Sequence, residues 1–149
     1  MQEEPQDSPR LHCYGCGEKN AEGLRIEFDV DGTVVIGRFT PRQVHQGFPG
    51  VAHGGIAAAA MDEAMGWAMY AAGAWAMTAR MQVKYRKPLP LGEELIVSAE
   101  ATSNRGRRLE AEARIETQDG DVLAEASGLF LRLPEKTQRE FNEAFLGAG

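Results

Sequence analysis

The stretch with the clearest chemical potential is His53-Gly54-Gly55, directly before a long run of helix-forming residues. Glycines at a helix start let a ligand approach the backbone, and the first amides of a helix have no partner inside it. These amides point outward at the positive end of the helix dipole. The stretch therefore predicts a site that polarises a carbonyl oxygen or holds an oxyanion. The alternative is that the two glycines only ease a tight turn into the helix.

An acidic residue, Asp62, lies inside the same apolar run. A carboxylate in a buried element must be paired, protonated or used, because isolated burial of its charge is costly. Glu63 follows about 100° further round the helix, so the two acids should have different roles. The residues three and four positions from Asp62 are mostly small and leave room for a substrate: Ala58, Ala59, Met65 and Gly66. The alternative for Asp62 is a salt-bridged structural carboxylate.

The separation between these two features constrains how they could work together. Gly55 and Asp62 are seven positions apart, which is roughly 10 Å along a helix axis. That distance is too long for both to act on one carbonyl carbon from the same chain. If both act on one carbon they come from different subunits, and the pattern then indicates a site across a dimer interface.

The elements that must position these residues follow from the hydrophobic pattern. Two short apolar segments around the Asp31-Gly32 turn predict a β-hairpin, Leu24–Val30 and Val34–Phe39. The alanine- and methionine-rich run from Gly55 to about Ala72 predicts one buried central helix. Four later segments predict antiparallel strands in a meander: Met77–Arg86, Glu94–Thr102, Arg108–Thr117 and Val122–Leu133. This order predicts an α+β fold in which an antiparallel sheet wraps around one long central helix.

The chain of 149 residues has room for one domain. We expect a flexible N-terminal tail over residues 1–10 and the folded domain over residues 11–134, with a lead-in loop at Leu11–Gly23. A C-terminal tail over residues 135–149 could contain a short helix around Phe141 to Leu146.

Composition limits the partners and the compartment. A net charge of −6 and a pI near 5.1 provide no basic field for nucleic acid. The first ten residues lack the basic and apolar regions of a secretory signal, and acids interrupt the longest apolar stretch, so we expect neither export nor a membrane span. With only two cysteines, a cytoplasmic location is the expectation.

Two stretches also carry a family resemblance. His45-Gln-Gly-Phe-Pro-Gly-Val-Ala-His-Gly-Gly55, with Asp62 nine positions after His53 and Thr78 sixteen beyond that, resembles the hotdog acyl-CoA thioesterases of the phenylacetate-pathway and animal thioesterase-superfamily types. Met81-Gln-Val-Lys-Tyr-Arg-Lys-Pro-Leu-Pro-Leu-Gly92 resembles the strand that follows the helix in that family. The resemblance covers roughly residues 11 to 133. It implies a hotdog fold, hydrolysis of acyl-CoA thioesters to free acid and CoA, and a homodimer or a homotetramer built as a dimer of dimers, with no metal or organic cofactor expected.

Carried over residue by residue, the resemblance implies that Gly55, with or without Gly54, supplies the amide that polarises the thioester carbonyl. Asp62 would be either the general base for water or a nucleophile that forms a mixed anhydride. Thr78 would orient the attacking water.

Three further sets of residues complete the predicted site. His53 would either contact the thioester sulfur or shape the loop. Gln46 is the nearest match to the amide residue that the family often places before His-Gly-Gly, at an imperfectly matched offset. The phosphates of CoA need cations, for which two basic clusters are available unless they are ordinary solvated charges: Lys84, Arg86 and Lys87, and Arg105, Arg107 and Arg108.

Two other functions and one other site remain open. A non-catalytic acyl-CoA binding module would not need Asp62, and an acyl-thioester dehydratase of the same fold usually pairs an active-site histidine with an acid in a different pattern. Cys13 and Cys16, next to His12, could form half of a zinc site. They lack a complete tetrahedral set unless a partner chain contributes, so no metal is predicted.

Overall fold

A computed structural model describes residues 8–146 of the chain. In chain order, the strands and the two α-helices are β1 Glu27–Asp31, β2 Val34–Phe39, α1 Gly54–Ala71, β3 Ala76–Tyr85, β4 Leu95–Arg105, β5 Arg108–Glu116, β6 Val122–Arg132 and α2 Glu135–Leu146. Two short 3₁₀-helices lie at Pro9–His12 and Gln43–His45. Each predicted strand and the central helix has an observed counterpart, with ends that differ by at most three residues.

The six strands form one antiparallel sheet in the order β1-β2-β4-β5-β6-β3. The sheet wraps around α1, whose main contacts are with β4 and β5 in the middle. An antiparallel sheet around one long helix is the hotdog arrangement, so the predicted α+β fold class is confirmed.

The predicted meander of the last four strands is wrong in one respect. β4, β5 and β6 follow one another in the sheet, but β3 lies at the far edge beside β6, and β4 pairs with β2. The connection between β3 and β4 runs over residues 86–94 and contains two prolines. This connection is longer than the two to five residues of common hairpin loops. Its length allows the chain to pass from the β3 edge of the sheet to the position beside β2.

The buried face of α1 consists mainly of small residues and methionines. Alanines bring the helix axis close to the sheet, and methionines fill the gaps that remain. The buried stripe is Ile56, Ala57, Ala60, Met61, Ala64, Met65, Ala68 and Met69. The opposite side is also rich in alanine and glycine, which is why the sequence suggested a helix buried on all sides. In the structure only one face of α1 is fully covered.

The lead-in loop and the helix α2 pack on the side of α1 that the sheet leaves uncovered. The lead-in loop lies against α1, with Gly15, Gly17 and Gly23 buried. The helix α2 is twelve residues long and begins before the short helix predicted there, and its Phe141 and Phe145 rings contact Trp75. Residues 1–7, in the predicted N-terminal tail, and residues 147–149 lie outside the described part of the chain. In the described part, neither α-helix has the length and hydropathy needed to cross a bilayer.

Candidate active site

The start of α1 is closed by the side chain of His53. Its Nδ1 accepts a hydrogen bond of 2.9 Å from the Gly55 amide, and its carbonyl accepts one of 2.8 Å from the Ile56 amide. Tyr85, at the end of β3, donates its hydroxyl to the Gly54 carbonyl at 2.8 Å. The helix start is thus tied both to its own capping residue and to the edge strand.

The two glycine amides differ in their availability. The Gly55 amide, which sequence reasoning placed first, is already bonded to His53. The Gly54 amide has no acceptor among residues 8–146, and both glycines are exposed. Gly54 is therefore the donor ready for an incoming carbonyl oxygen, whereas Gly55 could serve only if the imidazole moved away.

Gln46 lies in the loop before the helix. Its Oε1 accepts a hydrogen bond of 3.2 Å from the Gly50 amide, and its backbone bridges to Ala52. These contacts shape the loop, and within residues 8–146 the exposed Gln46 side chain has no hydrogen bond to His53. Its predicted catalytic role stays a prediction.

Asp62 and Thr78 are joined by a hydrogen bond. The Thr78 hydroxyl donates to Asp62 Oδ1 at 2.6 Å, joining α1 to β3. The pairing of β3 with β6 shifts register between Thr78 and Arg80, a bulge that re-aims side chains at this point of the edge strand. Asp62 is half-buried, and no cation pairs with it in the described part of the chain, so the salt-bridged alternative has no support there.

The structure leaves the two halves of the predicted site apart. Thr78 joins Asp62, whereas Gly54 and Gly55 lie two turns away along α1 at the end of the helix that Tyr85 holds. The seven positions between Gly55 and Asp62 are continuous helix, so the separation of roughly 10 Å stands.

The two predicted CoA-binding clusters differ in their ion pairing. Arg86 contacts Glu125 at 2.7 Å and Lys87 contacts Asp121 at 3.9 Å, so these cations already have acidic partners. Lys84 lies on a broad open face of the sheet together with glutamates. The other cluster surrounds the β4–β5 turn and has no acidic partner within residues 8–146: Arg105, Arg107 and Arg108.

A small apolar cleft of about 130 Å³ lies between α1 and α2. It is lined on α1 by Gly66, Trp67 and Tyr70 and closed from α2 by Phe145 and Leu146. Gly66 follows Asp62 by one helical turn, but the acid that lines the cleft is Glu63 and not Asp62. Met61 and Met65, which are close to Asp62 in the sequence, are fully buried in the core.

Sequence reasoning missed two contacts. Tyr85 showed no pattern that marked it as the anchor of the helix start. Glu63 has a partner in the lead-in loop, because the Cys13 thiol lies 3.4 Å from its Oε1. The pKa of Cys13 is lowered to about 7, chiefly by a hydrogen bond from the Cys16 thiol, whereas that bond together with desolvation raises the pKa of Cys16. Only the Cys-x-x-Cys spacing gave a signal for this cluster, and it did not indicate Glu63.

Comparison with known families gives a match that covers this part of the chain. A family model described as "Thioesterase superfamily" matches residues 49–124, just over half of the chain, and spans the helix start, Asp62 and Thr78. The chain belongs to the thioesterase superfamily. A solved structure of another thioesterase superfamily protein superposes with a TM-score of 0.78 at 28% identity, covering 88% of this chain and 69% of that one.

Two further proteins are similar to this chain, one in sequence and one in fold. Acyl-coenzyme A thioesterase THEM4 of Mus musculus is 38% identical over 93 residues, which are 61% of this chain and 40% of that protein. The chain thus spans about two-fifths of the length of the curated relatives it matches. A Streptococcus mutans protein solved with acetyl CoA shares the fold, with a TM-score of 0.69 at 18% identity over 72% of this chain and 88% of that one.

Proposed function

We propose that this chain hydrolyses acyl-CoA thioesters to a free acid and CoA. The observation that carries the proposal is the hydrogen bond from Thr78 to Asp62 on the open side of α1. Support also comes from the relatives, since the mouse protein is named an acyl-coenzyme A thioesterase and the Streptococcus mutans protein was solved with acetyl CoA.

The chemistry begins at the helix start. The Gly54 amide, reinforced by the helix dipole, donates a hydrogen bond to the thioester oxygen and stabilises the negative charge that grows there. A thioester carbonyl has weaker resonance than an ester carbonyl, so a single backbone donor is a reasonable activator for it.

Asp62 supplies the second half of the reaction. As a general base it removes a proton from a water molecule whose oxygen then bonds to the carbonyl carbon; the carbon–sulfur bond breaks and the CoA thiolate takes up a proton. As a nucleophile it would instead bond to the carbonyl carbon itself and give a mixed anhydride that water cleaves. Both routes need the Asp62 carboxylate held in place, and the hydrogen bond from the Thr78 hydroxyl holds it.

The separation of the two halves makes a shared site part of the proposal. β3 is an edge strand of ten residues, and Met77 and Tyr85 on it are 60% and 57% exposed. Phe48, in the loop before α1, is 84% exposed. Exposed apolar side chains along an unpaired strand are typical of an interface between subunits. A dimer formed through β3 would bring Thr78 and Asp62 of one subunit towards the helix start of the other.

The remaining parts of the substrate have candidate positions. The acyl group extends along α1 into the cleft beside Gly66, and the CoA phosphates contact the arginines that lack acidic partners, Arg105, Arg107 and Arg108. Arg86 and Lys87 would first have to leave Glu125 and Asp121.

The test is the replacement of Asp62 by asparagine, which keeps the size of the side chain and removes its basicity. Hydrolysis across a panel of acyl-CoA substrates should fall by at least about 10²-fold, as expected for a lost base or nucleophile. Asp29→Asn, the same change on the exposed strand β1, is the matched control. Near-normal turnover in a folded Asp62→Asn protein would contradict the proposed role of Asp62. Absence of hydrolysis by the parent chain across the panel would favour a binding module.

A further inference from the structure

The side chains of Cys13, Cys16 and Glu63 form a cluster that the proposed reaction does not use, although Glu63 also lines the apolar cleft beside α1. One ligand atom from each, the two sulfurs and a carboxylate oxygen, all lie within 4.8 Å of one another, and all three residues are half-buried. The cysteines lie in the lead-in loop and Glu63 lies on α1, fifty positions from Cys13. The cluster therefore joins two parts of the chain that are far apart in sequence.

The loop is shaped to bring the sulfurs to the helix. A Cβ at Gly15 would lie 2.4 Å from the Glu63 side chain, so a larger residue there would displace the carboxylate from its place beside the sulfurs. A Cβ at Gly17 would lie 2.5 Å from backbone atoms of Cys13 and Leu11, so the turn itself requires glycine at that position.

Backbone hydrogen bonds hold this turn. The Gly17 amide donates to the Cys13 carbonyl at 2.8 Å, and the Ile26 amide donates to the Gly15 carbonyl at 2.9 Å.

The distances fit a small tetrahedral ion. With metal–sulfur and metal–oxygen bonds of about 2.3 and 2.0 Å, a tetrahedral site separates two sulfurs by about 3.8 Å and a sulfur from an oxygen by about 3.5 Å. Cys13 Sγ lies 3.4 Å from Glu63 Oε1, and the other separations are within 4.8 Å. Small rotations of the side chains are enough to place all three atoms around one ion.

We propose that Cys13, Cys16 and Glu63 bind one Zn²⁺ ion that fastens the lead-in loop to α1 beside Asp62. Two thiolates select a soft ion such as Zn²⁺ over Mg²⁺ or Ca²⁺. No fourth histidine, cysteine or acid lies in the cluster within residues 8–146, so water takes the fourth position. The proposal departs from the sequence expectation of no metal, because Glu63 supplies a ligand that the sequence pattern did not connect to the cysteines.

The test is a metal titration of the full chain, reduced with a phosphine, stripped with a chelator and kept without oxygen. Co²⁺ should bind one ion per chain and give sulfur-to-cobalt charge-transfer absorption with the strong visible bands of a four-coordinate site. Zn²⁺ should displace it stoichiometrically. Saturation at one ion without charge-transfer absorption, or no stoichiometric binding, would overturn the proposal.

Three variants assign the ligands. Cys13→Ser and Cys16→Ser should each lower Zn²⁺ affinity by at least about 10²-fold, measured in competition with a chromophoric chelator. Glu63→Gln should lower the affinity at least about 10-fold while the charge-transfer absorption stays, because both sulfurs remain.

The neighbouring change Asp62→Asn is the matched control and should leave Zn²⁺ affinity unchanged, since Asp62 faces Thr78. An equal affinity in Glu63→Gln and Asp62→Asn would show that Glu63 is not a ligand and overturn the site as described. The Glu63→Gln comparison also keeps the proposal testable if a serine variant does not fold, because it leaves both cysteines in place.

Discussion

At the scale of single residues, Asp62 and Thr78 act as one hydrogen-bonded unit. The hydroxyl holds Oδ1, and Oδ2 has no hydrogen-bond partner among residues 8–146. A carboxylate held by one oxygen keeps its orientation while the other oxygen stays available for a water molecule. In the proposed mechanism Thr78 is therefore a positioning residue, which orients the carboxylate through its hydroxyl.

The positioning role predicts a contrast between two changes at Thr78. Thr78→Val keeps the shape and removes the hydroxyl, and it should lower kcat by about 10-fold or more because the Asp62 carboxylate loses its orientation. Thr78→Ser retains the hydroxyl and should stay close to the parent. Steady-state kinetics on one acyl-CoA measure both, and a serine variant as damaged as the valine variant would point to packing rather than to the hydrogen bond.

Asp62 and Thr78 could be selected as site residues from the sequence, through the family resemblance, although the hydrogen bond that joins them could not. The neighbouring acid shows what could not be predicted. Glu63 contacts Cys13 across fifty positions of chain, and that contact depends on how a glycine-rich loop folds back onto the helix. Periodicity describes regular elements, so it carries no information about where such a loop ends up.

At the scale of elements, the two faces of α1 have different functions. Alanines and methionines on one face build the core against the sheet, and the other face carries Asp62, Glu63 and Gly66. The sequence predicted the helix and its central place, but both faces are rich in small apolar residues, so the boundary between core and site did not show. The position of β3 was missed for a related reason, since strand patterns do not specify which neighbour a strand pairs with.

The cleft beside α1 leads to a prediction about acyl-chain length. A Cβ at Gly66 would have no heavy atom within 4 Å, so Gly66→Ala should stabilise the helix by about 0.5–1 kcal/mol in denaturant unfolding and serve as the control. Gly66→Leu should fill the cleft and lower kcat/KM for long-chain acyl-CoA at least about 10-fold more than for acetyl-CoA. An equal loss for both substrates would place the acyl group elsewhere.

At the scale of the whole molecule, the dominant feature is the unpaired edge of the sheet at β3. β3 presents an unpaired edge with exposed Met77 and Tyr85, and Tyr85 also holds the helix start. A partner along this strand would cover the edge and complete the site at once. Catalytic competence and subunit association would then depend on the same surface.

This arrangement predicts that two inactive variants complement each other. Asp62→Ala removes the acid, and Gly55→Val crowds the helix start, where even a Cβ would lie 3.1 Å from His53 Nδ1. In a dimer of one subunit of each kind, one of the two shared sites has both intact halves, so activity should return towards half of the parent value. The measurement needs verified heterodimers, made with two affinity tags. No recovery in them would mean that each chain works alone.

The hydrogen bond between the Gly55 amide and His53 has a consequence for selectivity between the ground state and the transition state. If this amide joins the reaction, the substrate oxygen must replace the imidazole as its acceptor. A neutral carbonyl gains little from that exchange, because one hydrogen bond is traded for another. As negative charge builds on the oxygen, it becomes the stronger acceptor and the exchange turns favourable. The His53 imidazole would thus compete with the substrate oxygen for the Gly55 amide until negative charge has built up on that oxygen. The hydrogen bond from the Gly55 amide would then stabilise the transition state and not the bound substrate.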